Sequence, residues 1–395
     1  MERFTTAVIG GGAAGLLAAI SAGRRGAPVV ICEKTPQLGK KLLATGNGRC
    51  NLLNADLSEL HYNAAARRLV SSIFEIFGRD QILSLFRGLG LEVYSDEGRI
   101  FPRTNQASSV LKVLELELKR LPVVVKYNFD CASISPSKNG FIVAARSGEK
   151  VECRRAVIAG GGRTYPAFGA DGGAYEIARK LGHSVVEPVP VAVPLVVKDN
   201  LCHLLQGQRI FAVARSMING QPGIEYSGEL LFTKYGLSGT CILDASEEVS
   251  IALTRKHRTQ VFIAVDLVPF ISRDKLAGEL QRRRDIGMLP DDLLAGILPN
   301  KFGPALQGIL ENSDTAAVVE SLKNHLFRVA DTRGWNEAEF TAGGVSVEEV
   351  VTGTLESKLK KGVYFAGEML DVNGERGGYN LAWAWASGWV AGAAD

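Results

Sequence analysis

The chain has 395 residues, 46% of them apolar and 22% charged, and its 45 basic and 42 acidic side chains leave a net charge of +3. That length exceeds what one hydrophobic core usually fills, so two or three domains are expected. The composition excludes a disordered or fibrous chain, and the charge balance lacks the basic surplus of a nucleic-acid-binding surface. Six cysteines and five histidines are scattered without metal-ligand or Cys-x-x-Cys spacing, which predicts buried reduced thiols and no metal site.

The N-terminus runs directly into an apolar strand, Thr6 to Ile9, with no leader pattern. Gly10-Gly11-Gly12 and a helix over Ala13 to Arg25 follow, then a second apolar run from Pro28 to Cys32, which together read as a βαβ unit opening a parallel sheet. A Gly-rich loop with lysines and an arginine is expected from Gly39 to Asn54, and helical periodicity from Arg67 to Leu89. Short strands at Val123 to Val125 and Gly140 to Val143 come next, the first preceded by an amphipathic helix over Val110 to Leu121. A buried strand at Ala156 to Ala159 ends in Gly160-Gly161-Gly162, and Ala174 to Leu181 reads as a helix.

Val191 to Val268 is rich in β-branched residues and turn signals such as Asn219-Gly220, and reads as a small β domain. Ser272 to Leu326 reads as helical, broken at Pro290, Pro299 and Pro304, with Gln281-Arg282-Arg283-Arg284 as a solvated helix face. The last part returns to α/β, with a strand at Gly362 to Ala366 and a helix from Leu381. The stretch from Tyr379 to Ala394 is too short, and too broken by Gly388 and Gly392, to span a bilayer. The expected organisation is a nucleotide-binding domain made of 1–191 plus 341–395, an inserted β domain at 192–270 and a helical insert at 271–340.

Gly10-x-Gly12-x-x-Gly15 follows a strand and opens a helix, the arrangement that brings a diphosphate to free helical N–H groups. Glu33 ends the second strand, where a carboxylate accepts both ribose hydroxyls and repels a 2′-phosphate, so the adenosine is unphosphorylated, as in FAD or NAD. Three segments favour FAD. Leu38 to Asn51 supplies glycines and cations for a loop wrapping the diphosphate, Arg155 to Gly161 is a strand ending in close-approach glycines, and Tyr364 to Asp371 with Gly377 to Leu381 is a strand, an acidic turn and a second Gly-opened helix. A carboxylate in that turn can hold ribityl hydroxyls, and N–H groups at Gly378 to Leu381 can point at the flavin N1–C2=O edge.

These segments make the chain resemble the two-dinucleotide-binding-domain flavoproteins and, more narrowly, the BaiN/YhiN-type family of NAD(P)/FAD-dependent, aminoacetone-oxidase-like oxidoreductases. The resemblance is carried by Thr45-Gly46-Asn47-Gly48-Arg49-Cys50-Asn51, Gly98-Arg99-Ile100-Phe101-Pro102, Gly161-Gly162-Arg163-Thr164-Tyr165-Pro166, Gly228 to Gly239, Thr341 to Val345 and Gly377 to Ala384, nearly the full length. Asn47 departs from the glycine expected in many relatives. The resemblance implies a three-layer FAD/NAD(P)-binding Rossmann-like α/β domain with an inserted translation-factor-like β-barrel and a small helical insert, and FAD held non-covalently. The cofactor contacts expected are Gly10, Gly12, Ala13, Ala14, Gly15, Glu33, Lys34, Lys41, Thr45, Gly46, Arg49, Cys50, Asn51, Cys131, Ala159, Gly160, Gly161, Gly367, Glu368, Asp371, Gly378, Tyr379, Asn380 and Leu381.

The expected activity is that of a cytoplasmic reductase passing hydride from NADH or NADPH through FAD to an unsaturated or carbonyl small molecule, with no nucleic-acid or membrane partner. No second complete Gly-x-Gly-x-x-Gly unit is present, so the nicotinamide visits transiently. The rivals are an oxidase that returns electrons from an amine or amino-ketone to oxygen, and an RNA-modifying or non-enzymatic flavin-binding protein. Cys50 reads as a packed thiol, and Tyr165 and Tyr235 are candidate proton donors or stacking groups. No catalytic acid is assigned.

Overall fold

The computed structural model describes residues 1–257 and 260–394. Residues 258 and 259, inside the expected β domain, and 395, at the end of the expected nucleotide-binding domain, lie outside the described residues. The chain divides into two compact units, Met1–Pro188 with Phe340–Asp395, and Val189–Glu339.

The first unit begins with β1 (Glu2–Ile9), α1 (Ala13–Gly23) and β2 (Val29–Cys32). The expected loop after β2 is partly helical, as α2 (Lys40–Ala44) and a 3-10 turn at Thr45–Gly48 precede β3 (Leu53–Asn54). The periodic stretch that follows is two helices, α3 (Arg67–Ile76) and α4 (Arg79–Gly88). The break falls at Gly78, where a Cβ would stand 2.4 Å from the Phe74 carbonyl oxygen and the Gln81 side chain caps the new N-terminus. Then come β4 (Val93–Asp96), β5 (Arg99–Pro102), α5 (Ala107–Arg120), β6 (Val123–Lys126), β7 (Cys131–Ser137), β8 (Gly140–Ala145), β9 (Lys150–Ile158) and α6 (Gly173–Lys180). A further strand, β10 (Val185–Val191), carries the chain onward.

In the second unit β11 (Leu195–Val197), β12 (Arg209–Ile218), β13 (Gln221–Thr233), β14 (Gly236–Ser238), β15 (Val261–Asp266) and β16 (His325–Thr332) close a barrel in the order β11-β14-β13-β12-β15-β16. Asn219 and Gly220, at φ 51° and 79°, make the two-residue turn between β12 and β13. The stretch read as all β also contains α7 (Asn200–Leu204) and the 15-residue α8 (Thr240–Thr254), whose Cys241, Ile242, Ala245, Val249 and Ala252 recur at helical spacing and are buried. Four helices, α9 (Arg273–Asp285), α10 (Phe302–Ala305), α11 (Gln307–Asn312) and α12 (Thr315–Lys323), share one core with the barrel. The arginine run on α9 is not merely a solvated face. Arg283 donates to the carbonyls of Leu293 and Ala295, and Arg284 to those of Leu310 and Ser313, so the two guanidiniums tie the helical segments together.

The chain re-enters the first unit with β17 (Phe340–Val345), β18 (Val363–Phe365) and α13 (Tyr379–Ala393). Its main sheet runs β6-β2-β1-β9, parallel throughout. Beyond β1, the first half of β9 pairs antiparallel with the β7–β8 hairpin and the second half pairs parallel with β18. Residues from both ends of the sequence thus share one sheet. Helices α1 and α13 lie side by side against it. A Cβ on Gly388 would sit 2.2 Å from the Ala14 carbonyl oxygen, and one on Gly392 2.2 Å from that of Ala18. Both contacts advance four residues in the same direction, so the two helices are parallel and present their N-termini at the same end.

Candidate cofactor and active site

The loop between β1 and α1 is shaped by its glycines. Gly10 holds φ 102°, and a Cβ there would meet the Ala159 carbonyl oxygen at 2.5 Å. At Gly15 a Cβ would stand 1.9 Å from the Gly10 carbonyl oxygen. These two serve the packing of the protein on itself. At Gly12, by contrast, nothing lies within 4 Å of a Cβ. The position caps α1 without a side chain, leaving open backbone beside free N–H groups. Ala13 and Ala14 form the first turn, and Ala14 packs against the position of a Gly367 Cβ at 2.8 Å.

Glu33 is buried at the end of β2. Its two oxygens accept from the backbone N–H of Gly11 at 2.6 Å and of Thr35 at 2.7 Å, which fixes the carboxylate against the glycine loop. A carboxylate has about four lone-pair sites, so acceptor capacity remains. The turn leading to Cys131 runs alongside, with Phe129 N–H donating to the Glu33 carbonyl. Burial pushes the Cys131 thiol up to about 12, so it is a neutral wall. Lys34 points instead at Asp171, 2.6 Å away, and Asp130.

Further along, Lys41 pairs with Glu368 at 2.7 Å and also donates to the Thr164 hydroxyl. Glu368 accepts in addition from the N–H of Thr341 at 2.7 Å and of Gly162 at 3.2 Å. This network draws together α2, the Ala159-Gly160-Gly161 strand end, β17 and the turn opened by Gly367. Asp371 contributes backbone: its N–H donates to Val345 and its carbonyl accepts from Asn63.

The segment from Thr45 to Asn51 folds back on itself in left-handed conformations, with Gly46, Asn47, Gly48 and Cys50 at φ 57°, 55°, 82° and 62°. Asparagine tolerates that region better than most side chains, so the departure at Asn47 fits the local turn. The Cys50 thiol is fully buried and pushed up to about 12 by that burial, which makes it packing and not a thiolate. Arg49 lies over the Phe101 ring at 4.6 Å. Asn51 carries a buried Oδ1 that has no hydrogen-bond partner among the described residues.

That oxygen stands beside the N-terminus of α13. A Cβ on Gly378, at φ 108°, would meet the Leu53 carbonyl carbon at 2.6 Å and Asn51 Oδ1 at 2.9 Å. Asn54 donates to the Gly377 carbonyl, the Tyr62 hydroxyl to that of Tyr379, and the Asn380 side chain brackets Gly374. Leu381 packs against the core. His61, which no local motif singles out, stacks on Tyr379 at 4.4 Å and reaches Asp56 at 3.0 Å and Glu375 at 2.9 Å through its two ring nitrogens. Burial, with the Glu375 and Asp56 charges, pushes the Tyr379 phenol up to about 12. Tyr165 stacks on Phe168, and in the second unit Tyr235 lies under Arg333.

Two helix N-termini, a carboxylate at a strand end, an open glycine and an orphaned amide oxygen are what an adenine dinucleotide carrying a flavin needs. Thr164 and Thr341, which stand in the motifs that carry the resemblance, and His61 and Asn63 are not among the expected cofactor contacts, because each enters through contacts more than 100 residues apart along the chain.

The chain matches the family described as HI0933-like protein Rossmann domain over residues 4–394. It is 35% identical over 402 residues, 98% of each chain, to a 3-dehydro-bile acid delta(4,6)-reductase of Clostridium scindens. It is 29% identical over 401 residues to a ribosomal RNA dihydrouridine synthase of Escherichia coli, covering 99% of this chain and 97% of that one. Among solved structures, it superposes on 3-ketosteroid delta1-dehydrogenase from Sterolibacterium denitrificans with TM-score 0.51 at 13% identity, over 99% of each chain, a likeness of fold.

Proposed function

Since the chain belongs to the HI0933-like Rossmann family, a flavin-dependent oxidoreductase family, we propose that it is a reductase that saturates a carbon–carbon double bond conjugated to a carbonyl, drawing on NADH or NADPH. One observation carries this reading. Two relatives that each cover at least 97% of their own and this chain's length bear names describing a steroid acid and an RNA base, yet both names describe saturation of a double bond. In a 3-oxo-Δ4 ring and in uracil alike, that bond lies next to a carbonyl, which makes it an acceptor of hydride.

The residues divide the work by position. The Gly12 turn and the first N–H groups of α1 would hold the diphosphate of non-covalent FAD, and Glu33 would take the ribose hydroxyls. Lys41 and Glu368 would hold the ribityl chain. Asn51 and the N–H groups from Gly378 to Leu381 would hold the pyrimidine edge, where the positive end of the α13 dipole favours negative charge. The flavin, when bound, supplies the hydride. The 35% relative supports a small-molecule substrate.

The test is direct. Denaturing the purified yellow protein should release FAD. Anaerobic NADH or NADPH should bleach the flavin band near ~450 nm, and a conjugated enone should restore it without oxygen. A protein whose flavin is reduced only by an amine, with peroxide formed in air, is the oxidase instead.

A further inference from the structure

The hairpin containing Gly98-Arg99-Ile100-Phe101-Pro102 adjoins the candidate cofactor site. Strand β5 pairs with β3 through Leu53 and Ile100, and β3 is the strand against which the Gly378 turn closes. On this small sheet Tyr94 and Phe101 are cross-strand partners, their rings 6.0 Å apart. Arg49 lies over Phe101 at 4.6 Å and Arg103 over Tyr94 at 5.3 Å. The four side chains form a ladder, cation, ring, ring, cation.

Both guanidiniums are exposed, and neither forms an ion pair among the described residues. By comparison, Arg3, Arg24, Arg146, Arg179, Arg209 and Arg273 each meet a carboxylate. Arg99, by contrast, has Asp96 as its cross-strand partner. A guanidinium laid on a ring spends its π-face and keeps its N–H donors, which lie in its plane, for a ligand. The ring also restricts the side chain, so less conformational freedom is lost when an anion binds. The site opens beside the candidate flavin end: a Cβ on Gly46 would lie 3.6 Å from the Phe101 ring and 2.9 Å from the Asn51 nitrogen.

We propose that Arg49 and Arg103, propped on Phe101 and Tyr94, form a receptor for anionic groups, phosphate or carboxylate, carried by the substrate. The proposal rests on the ene-reductase reading for the nature of the acceptor, and it assigns Arg49 to substrate. The chemistry is common to an RNA backbone and to a steroid acid, and the planar fork of arginine suits both anions in bidentate fashion.

The experiment uses the full-length, flavin-loaded protein and two matched pairs of probes. One pair is a 3-oxo-Δ4 steroid with a carboxylate side chain and its methyl ester; the other is a short oligouridylate and its uncharged methylphosphonate analogue. Titration should show the charged member of one pair binding about tenfold tighter than its neutral twin, and the pair that does so identifies the source of the anion. R103Q should abolish that preference while leaving the neutral member's affinity and the flavin absorbance unchanged, and R103K should restore only part of it. Equal binding of charged and neutral members in both pairs, or a preference that survives in the R49Q/R103Q double variant, overturns the receptor. Failure of the underlying reading is separate, since it appears as bound flavin that neither NADH nor NADPH bleaches or that a conjugated enone does not reoxidise.

Discussion

The Oδ1 of Asn51 is buried and has no hydrogen-bond partner among the described residues, so the fold gains little from it. Asn51→Ala should therefore leave the thermal stability of flavin-free protein within about 0.5 kcal/mol of wild type while weakening flavin uptake by about tenfold or more. A large loss of melting temperature with unchanged flavin affinity would make Asn51 a structural residue. His61 gives a pH-dependent expectation. Burial lowers its pKa, but hydrogen bonds to Asp56 and Glu375 outweigh that and leave it raised. Its stabilising contribution is thus fully present below the unfolded value of about 6.5 and is lost as pH rises through the folded value. The carboxylates are 66% and 61% exposed, so the effect is under about 1 kcal/mol. Denaturant unfolding between mildly acidic and mildly alkaline pH should show that decline in wild type, and H61Q should flatten it.

At the scale of elements, the close contact of α1 with α13 places the second N-terminus. Gly388 and Gly392 read in the sequence as interruptions of an apolar run; in the fold they are the points where a helix backbone approaches Ala14 and Ala18. Trp383 and Trp385 flank this contact, fully buried, and donate to the carbonyls of Gly367 and Leu52. Gly388→Val has no room and must push the helices apart. Overpacking of this kind costs ~1–3 kcal/mol or more, so we expect a lower melting temperature and a low flavin-to-protein ratio after purification. A variant that melts and binds flavin like wild type would show that α13 is not positioned this way. The replacement Trp385→Ala should cost ~3–5 kcal/mol by calorimetry, as a large buried side chain leaves a cavity.

On the scale of the whole molecule, the candidate site draws on residues 10–15 and 367–381, brought together because β18 enters the sheet beside β9 and α13 lies on α1. Flavin binding should therefore slow amide exchange at 10–16, 33–35, 45–54 and 377–383 together; protection confined to the N-terminal segments would break the two-ended site. The sequence alone determined the βαβ start, the turn glycines, Glu33 at its strand end and the second Gly-opened helix, because each is a local pattern whose backbone demands show in a few adjacent residues. Less local features escaped it. Helix α8 was hidden by β-branched composition, and the closing strand β16 lay in a stretch read as part of a helical insert, its alternation of Phe327 and Val329 with Leu326 and Arg328 too short to stand out. Only the tertiary structure decided which side chains meet. Lys41 with Glu368, His61 with Glu375, and Arg49 on Phe101 are pairings set by how strands and helices pack across long separations, and no spacing in the chain encodes them.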